Sequence, residues 1–332
     1  MMREPGFWWR KAGPRAALLA PIAGINGAVA ARRMARTGAR AGVPVLCVGN
    51  FTLGGTGKTP TAMLLAKMLA QAGEKVFCLS RGYGGSNAGP KLVGHADHSA
   101  QVGDEPLMLA RVAPTIVARD RVAGAELARS QGASAIVMDD GLQNASLGKD
   151  LTIAVVDGRR GIGNGKVFPA GPLRAPLAAQ LARSDALLVV GEESGAADVI
   201  AAAKKRGLPV LHGRLVPDPA AAAALQGRNV LAFAGIGDPE KFFASAGEAG
   251  IAVARRKAFP DHHRFTAKEA AALIGEAEHD GLALLTTEKD RARMIGDPLT
   301  KTLAERAYVL PVTMQVREAD ELRELVTSKL RR

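Results

Sequence analysis

A glycine-rich segment between residues 49 and 60 carries the residue types that bind nucleotide phosphates. An apolar run from Val43 to Val48 leads into it, and a helical pattern follows. In strand–loop–helix units of this kind, backbone N–H groups and the helix N-terminus face phosphate oxygens. Lys58 would contact the terminal phosphates, and the hydroxyl of Thr59 would ligate Mg²⁺. The segment predicts a site for ATP and Mg²⁺ whose nucleotide-binding residues are Thr52, Gly54, Gly55, Thr56, Gly57, Lys58, Thr59 and Pro60.

This loop departs at one position from the usual G-x-x-x-x-G-K-[ST] pattern, which begins with glycine. Thr52 stands there instead, and Gly54 and Gly55 supply the backbone freedom. The strand before the loop and the helix after it are in the required order. We therefore expect phosphate binding rather than a chance glycine turn.

Two adjacent carboxylates, Asp139 and Asp140, directly follow the apolar run from Ala135 to Met138. A strand here would deliver both acids at its carboxyl end, where P-loop enzymes need an acid near magnesium. Taken alone, the pair could equally form a turn or a cap. Together with the glycine-rich loop, it favours metal binding.

A second acidic pair, Asp104 and Glu105, opens a predicted helix. Acids at a helix N-terminus are often caps that the helix dipole stabilises. Transfer of a phosphate to an alcohol, however, benefits from a group that accepts the hydroxyl proton. Asp104 is a candidate for that base because it lies in the nucleotide-binding half of the chain.

Two of the six histidines, His262 and His263, are adjacent and follow Asp261. Their segment lacks the i, i+4 or C-x-x-C spacing of a zinc site. A catalytic or orienting histidine and an ordinary loop both remain open as explanations. Chemistry alone does not choose between the two rings.

The elements that must position these residues alternate between short apolar runs and helical patterns, which predicts a parallel sheet covered by helices. We expect an α/β, P-loop NTPase-like fold: a mostly parallel sheet flanked by helices, a smaller second α/β domain and an N-terminal membrane-surface helix. The predicted strands are Val43 to Val48, Lys75 to Leu79, Thr115 to Val117, Ala135 to Met138, Leu151 to Val156, Ala186 to Val190, Pro209 to His212, Val230 to Ala234, Ala283 to Thr286 and Tyr308 to Pro311. The predicted helices lie near Lys58 to Ala72, Glu105 to Val112, Arg121 to Gln131, Ala175 to Arg183, Pro239 to Ala246, Ala267 to Ala277 and Ala319 to Leu330.

A change in composition after Val216, where Pro217 and Pro219 precede an alanine-rich stretch, predicts a domain boundary near residue 215. The expected organisation is an amphipathic membrane-associating segment at 1–42, a P-loop nucleotide-binding domain at 43–215 and a smaller α/β domain at 216–332.

Cys47 and Cys78 each lie within an apolar run. Neither a disulfide framework nor a zinc cluster is indicated, which fits a reducing compartment.

More than half of the net charge of +12 lies in residues 1–42, where eight basic side chains face one acid. The run from Ala16 to Ala31 is apolar apart from Asn26, and Trp8 and Trp9 precede it. This run is short for a membrane span. We interpret it as an interfacial helix with aromatic rings at headgroup level and arginines against anionic phosphates, the alternative being a helix packed on its own domain. With 4% aromatic residues and no nucleic-acid-binding motif, the chain is not expected to bind nucleic acid.

Several segments, in order along nearly the whole chain, resemble the tetraacyldisaccharide 4′-kinase (lipid A 4′-kinase) family. The likeness begins in the phosphate loop, and the Thr52 departure agrees with it. The other similar segments are Ser80 to Gly85, Gly103 to Pro106, Asp139 to Gln143, Gly163 to Gly165, Pro169 to Arg174, Ala234 to Gly237, Phe259 to His262 and Thr286 to Asp290. The P-loop alone would be generic, whereas this ordered set is specific.

The resemblance implies transfer of the ATP γ-phosphate to the 4′-hydroxyl of a tetraacylated glucosamine disaccharide 1-phosphate, at the cytoplasmic face of the inner membrane. It implies that Asp104 accepts the proton, oriented by His262, while Lys58 handles the donor phosphate. Such an enzyme is plausible as a monomer, and its oligomeric state is open. The residues implied around magnesium and nucleotide are Thr59, Glu105, Asp139 and Asp140. The residues implied to face the sugar phosphate are Tyr83, Gln143, Asn164 and Arg174.

Asn144 departs from the family, which usually carries histidine after the glutamine of Asp-Asp-Gly-x-Gln. An asparagine can replace a histidine that only donates a hydrogen bond, but not one that titrates. Asn144 is thus a candidate substrate residue with an open role.

The rival function is a membrane-associated P-loop nucleotide switch that recruits a protein. A GTPase of that class would need an [NT]-K-x-D element, which Thr287 to Asp290 does not supply, and a partition-type ATPase would need a lysine early in the loop, where Thr52 and Leu53 stand.

Overall fold

The computed structural model describes residues 4–330, in which the strands form a nine-stranded sheet and a four-stranded sheet. The strands are β1 Val45–Asn50, β2 Val76–Ser80, β3 Lys91–Leu92, β4 Thr115–Val117, β5 Ala135–Asp139, β6 Leu151–Asp157, β7 Ala186–Val190, β8 Val210–Pro217, β9 Asn229–Ala234, β10 Ala252–Ala258, β11 Ala283–Thr286, β12 Tyr308–Val309 and β13 Val312–Val316. The helices are α1 Pro14–Met34, α2 Lys58–Gln71, α3 Ser99–Val102, α4 Asp104–Leu109, α5 Arg121–Ser130, α6 Leu177–Leu181, α7 Ala197–Lys205, α8 Pro219–Ala223, α9 Pro239–Glu248, α10 Ala267–His279, α11 Glu288–Met294, α12 Lys301–Arg306 and α13 Ala319–Thr327. The predicted α/β class with a mostly parallel sheet is confirmed.

The larger sheet has the strand order β13-β8-β7-β6-β1-β5-β2-β4-β3 and is parallel except at its two edges. Its central strands are apolar runs because helices cover both faces. In β1, Leu46 and Val48 point to the face covered by α2, while Val45 and Cys47 point to the face covered by α5. Since β1 lies between β5 and β6, the loop that follows it opens at the centre of the carboxyl edge, where ligands of such sheets bind.

The smaller sheet, β10-β9-β11-β12, is parallel and packs between helices that include α9 and α10. The sequence patterns missed β10, because Arg255, Arg256 and Lys257 make this exposed edge strand look like a polar loop. They also missed β13, which follows Pro311 directly. β13 pairs antiparallel with β8 in the larger sheet, and α13 packs beside α2. Residues 312–327 therefore return to the larger sheet, and β8 itself runs through position 215 to Pro217.

The N-terminal helix α1 packs on the unit built around the larger sheet. Its small residues Ala23 and Gly27 are buried, and Gly27 lies next to Pro176. Trp8 just before it is buried against Phe168 and donates a hydrogen bond of 3.0 Å to the carbonyl of Pro169. The expectation that both tryptophan rings lie at headgroup level is therefore wrong for Trp8. Between residues 4 and 330, no helix is long and apolar enough to cross a membrane.

Candidate active site

The phosphate loop joins β1 to α2, and glycine permits its last turn. Gly57, the N-cap of α2, has φ +93°, a left-handed conformation that only glycine adopts readily. At the other end, Thr52 is buried, and its carbonyl accepts a hydrogen bond of 3.0 Å from Nε of Arg174. The N–H of Leu53 donates to the carbonyl of Pro172. The neighbouring 172–174 segment thus fixes the loop where other P-loops begin with glycine.

Asp139, at the end of β5, lies beside the first turn of α2. The hydroxyl of Thr59 donates to its Oδ2 over 3.3 Å, and both side chains are buried. Burial raises the pKa of Asp139 to about 7, and the charges of Glu105 and Asp140 add to that effect. A cation placed here would instead favour the carboxylate form.

The donor set fits magnesium in part. Oδ1 of Asp139 is buried without a hydrogen-bond partner in the described part of the chain, next to the Thr59 hydroxyl. An orphaned carboxylate oxygen and a hydroxyl are ligands of the kind that Mg²⁺ takes, with water and phosphate oxygens filling the remaining positions. Within residues 4–330, no group of three or more His, Cys, Asp or Glu side chains is arranged to hold a metal by itself.

The other two acids expected at the metal have basic partners. Glu105 accepts a bond of 2.8 Å from Lys289. Asp140 accepts bonds of 3.0 and 3.1 Å from Nη1 of Arg174, and its Oδ1 lies 3.9 Å from Nζ of Lys58. Burial lowers the pKa of Lys58, while the charge of Asp140 opposes that effect. Asp140 thus neutralises two cations that border the phosphate loop.

Asp104 opens α4 and is 4% exposed. The preceding Gly103 has φ +90°, and a Cβ there would lie 2.6 Å from the carbonyl of Tyr83, so this turn requires glycine. Oδ2 of Asp104 accepts hydrogen bonds from Nε and Nη2 of Arg293 at 3.0 and 2.5 Å. Burial alone would raise the pKa of Asp104, but the charges of Arg293, Lys289 and His262 outweigh burial and lower it. Asp104 is therefore held as a carboxylate.

The two adjacent histidines have different surroundings. Nδ1 of His262 lies 3.7 Å from Oδ2 of Asp104, and its ring lies 5.2 Å from that of Tyr83. His262 has a φ of +56°, an uncommon conformation for a residue other than glycine, and such conformations cluster at functional sites. His263 instead bonds Glu269 at 3.0 Å and stacks on Phe259. The geometry thus brings His262, and not His263, to the candidate base.

Most of the residues expected to face the sugar phosphate make hydrogen bonds or ion pairs within the protein. Nε2 of Gln143 donates to the carbonyl of Asn50 and to Gln180, both at 2.7 Å. Oδ1 of Asn144 accepts from the N–H and hydroxyl of Ser146, which forms a local turn. Nδ2 of Asn164 donates to the carbonyl of Ala170, closing the 164–171 loop. Tyr83 is half exposed, and Arg174 pairs with Asp140 as described.

Sequence reasoning missed Lys289 and Arg293, which reach Glu105 and Asp104 from α11. Their i, i+4 spacing places both on one helix face, and this was the available signal. The segment from Thr286 to Asp290 resembled the family motif, but nothing in the sequence showed which helix it would contact.

Comparison with known proteins gives a consistent result. The profile of the family described as tetraacyldisaccharide-1-P 4′-kinase matches residues 15–331. A tetraacyldisaccharide 4′-kinase of Rhodopseudomonas palustris (strain BisB18) is 54% identical over 330 residues, which are 99% of this chain and 96% of the relative. One of Methylobacterium sp. (strain 4-46) is 57% identical over 312 residues, covering 93% and 94%.

A solved structure agrees with these relatives. The crystal structure of LpxK from Aquifex aeolicus, in complex with ATP, has a TM-score of 0.72 and 25% identity, covering 95% of this chain and 99% of that one. Both the sequence relatives and the solved structure extend over almost the full length. The chain therefore belongs to the tetraacyldisaccharide 4′-kinase family.

Proposed function

We propose that Lys58, Thr59 and Asp139 hold the phosphate donor in this chain, while Asp104 accepts the proton of the acceptor hydroxyl. The reaction is the ATP-dependent kinase reaction of lipid A biosynthesis that characterises the family. One observation carries the residue roles. A carboxylate–histidine pair, Asp104 and His262, stands at the start of α4, and α4 packs on the helix that begins at Lys58. The candidate base and the phosphate loop thus share one edge of the sheet.

On the donor side, Lys58 opens α2, where backbone N–H groups and the helix dipole attract phosphate. Its ammonium would neutralise charge on the phosphate in transfer, while Asp140 keeps it oriented. Thr59 and Asp139 would hold magnesium, as the orphaned Oδ1 of Asp139 supports. Magnesium bound there would supply positive charge that offsets the negative charge of the donor phosphates.

On the acceptor side, Asp104 would take the proton from the 4′-hydroxyl of the tetraacyldisaccharide 1-phosphate. A carboxylate whose pKa lies below its usual value is ionised at neutral pH, which is the form that can accept a proton. His262, whose Nδ1 lies 3.7 Å from Oδ2 of Asp104, would orient that carboxylate. Tyr83, Gln143, Asn144, Asn164 and Arg174 are proposed to contact the lipid headgroup.

The lipid acceptor calls for a membrane surface, and α1 supports one. Leu18, Ile22, Ile25 and Val29 are exposed and recur at spacings of four, three and four residues, so they form one apolar stripe. Exposed basic residues flank the stripe at both ends: Arg10, Lys11, Arg15, Arg32, Arg33, Arg36 and Arg40. We propose that the stripe enters the acyl boundary at the cytoplasmic face of the inner membrane while the basic residues meet lipid phosphates.

The function is tested with purified protein, magnesium-ATP and a tetraacyldisaccharide 1-phosphate in detergent micelles. We expect phosphate on the lipid, and no product from Lys58→Ala. ATP hydrolysis without a phosphorylated lipid would support the nucleotide-switch alternative instead. Asp104→Asn should lower turnover by about 10²- to 10⁴-fold and leave ATP affinity nearly unchanged. An equal loss of both would make Asp104 a metal-binding or structural residue.

A further inference from the structure

Helix α11 of the smaller unit lies against α4, and ion pairs join the two segments. One of these pairs joins a half-exposed arginine to a buried glutamate, whereas the other two reach the acids that open α4. The pairs are Glu288–Arg111 at 3.0 Å, Lys289–Glu105 at 2.8 Å and Arg293–Asp104 at 2.5 Å. The acids at the candidate active site are thus contacted by a helix that follows a strand of the smaller sheet.

Arg293 makes the most extensive of these contacts. Its side chain is 6% exposed, and both Nε and Nη2 bond to Oδ2 of Asp104 rather than to Oδ1. Nη2 also lies 3.4 Å from Nδ1 of His262. One guanidinium therefore touches both members of the carboxylate–histidine pair. A planar fork with fixed donor directions restricts where its partners can lie, which a lysine ammonium does not.

Arg293 is itself anchored on its other side. Nη1 donates to the carbonyl of Gly235 at 2.6 Å and to Oδ1 of Asp290 at 3.0 Å. Asp290 is fully buried, and its carboxylate also accepts from the N–H of Gly235 and from the hydroxyl of Thr287. A buried, hydrogen-bonded carboxylate behind a guanidinium fixes its orientation in the way that partners of metal ligands fix those ligands.

We propose that Arg293 is a positioning residue of the kinase, which aims Oδ1 of Asp104 at the acceptor hydroxyl and holds His262 beside it. This inference rests on the proposed role of Asp104 as the base. Asp290 supplies the anchor, so that the smaller unit contributes orientation to a carboxylate of the larger one. The segment from Thr286 to Asp290, which resembles the family, thereby gains a function. It carries Asp290, the anchor of Arg293 about one turn further along α11.

The alternative is that Arg293 only docks the two units. The chain offers a control for that reading, because Arg111 also pairs across the same two segments, through Glu288. Arg111 is 48% exposed and contacts neither Asp104 nor His262. If Arg293 only docks the two units, Arg293→Gln and Arg111→Gln should each lower kcat in proportion to their loss of stability.

The experiment measures kcat and KM for both substrates in the micelle assay, with thermal unfolding of each variant. Arg293→Gln should lower kcat by ~10²-fold, with KM for ATP within a few-fold of the parent, while Arg111→Gln stays near the parent. Guanidinium at a non-denaturing concentration should restore part of the kcat of Arg293→Gln and none of that of Asp104→Asn. In the Asp104→Asn background, Arg293→Gln should cause little further loss, because its effect acts through Asp104.

The inference is overturned if the two losses multiply, if guanidinium restores nothing, or if Arg293→Gln behaves like Arg111→Gln. Should Arg293→Gln fail to fold, Arg293→Lys keeps the charge without the fork and is judged by the same double-variant comparison. If instead Asp104→Asn keeps parental turnover, the proposed base is wrong. A different result would reject only the role of Arg293: Asp104→Asn loses turnover, and the losses of the two single variants multiply in the double variant.

Discussion

The hydroxyl of Thr59 bonds Oδ2 of Asp139 over 3.3 Å and joins the first turn of α2 to the end of β5. The contact is buried, and the second oxygen of Asp139 lacks a partner among the described residues. An unpaired buried carboxylate oxygen is costly, so a cation nearby would both relieve that cost and be oriented by it.

Thr59→Val should therefore weaken magnesium binding, because it removes the hydroxyl while keeping the side-chain shape. We expect the Mg²⁺ concentration for half-maximal activity to rise by about 10- to 100-fold. Thr115→Val in β4 is the matched control, since its buried hydroxyl bonds the carbonyl of Ala113 and lies outside the candidate site. Equal magnesium dependence in both variants would remove Thr59 from the metal site.

Asn144 can be tested by separating its two hydrogen-bonding ends. Its Oδ1 serves the turn with Ser146, so the amide N–H groups are the part of the side chain that we propose to meet the substrate. Asn144→Asp keeps an acceptor for the turn and removes the donors. We expect stability close to the parent and a KM for the lipid raised by roughly fivefold, the value of about one hydrogen bond. An unchanged KM would leave Asn144 a turn residue.

The apolar stripe on α1 predicts binding to anionic vesicles. Replacing both Ile22 and Ile25 with Ser should weaken vesicle co-sedimentation by at least about tenfold, since each isoleucine side chain contributes about 1 kcal/mol or more on burial. Leu92→Ser, at an exposed apolar residue of the short edge strand β3, serves as the control. Loss of binding in the control alone, or in neither protein, would contradict the assignment of the membrane face.

The surroundings of Glu318 predict that the free energy of unfolding falls at acid pH. Burial would raise its pKa, but hydrogen bonds from the backbone and ring of His212 and from Arg317 lower it from 4.5 to about 2. Because the folded pKa is the lower one, the carboxylate stabilises the fold above pH 4.5, and this contribution is lost as pH falls toward 2. Glu318→Gln should lower the free energy of unfolding at pH 7 by about 1 kcal/mol, allowing for partial solvent screening.

Denaturant unfolding between pH 7 and pH 3 checks this prediction. The difference between Glu318→Gln and the parent should narrow as the solution becomes more acidic. Asp320→Asn, at an almost fully exposed acid in the first turn of α13, which Glu318 precedes, should show no such trend. A difference that is constant with pH would mean that the glutamate acts through packing rather than charge.

Local sequence order predicted the parts of the site that a single strand and its following loop create. Lys58, Thr59 and Asp139 each sit at the carboxyl end of a predicted strand or the start of the helix after it. The partners of Asp104 depend instead on how two sheets pack. Arg293 is 189 residues away from Asp104, and no periodicity relates them.

The same reasoning explains the errors in secondary structure. The buried strand β5 was found because its apolar run is continuous. The edge strand β10 was not found, because exposed arginines can occupy such a strand as well as apolar residues can, so no apolar run marks it. The N-terminal helix was foreseen, but which of its neighbouring aromatic residues would be buried depended on Phe168 and Pro169, far along the chain.

The pairing of β13 with β8 has a consequence for how the protein is made. Synthesis proceeds from the N-terminus, so the whole nucleotide loop and its strands leave the ribosome long before residues 312–316 do. During that interval β8 presents a bare row of N–H and C=O groups, a template for pairing with other chains. The nascent chain is therefore open to misassembly along β8 from the time β8 has been made until β13 pairs with it.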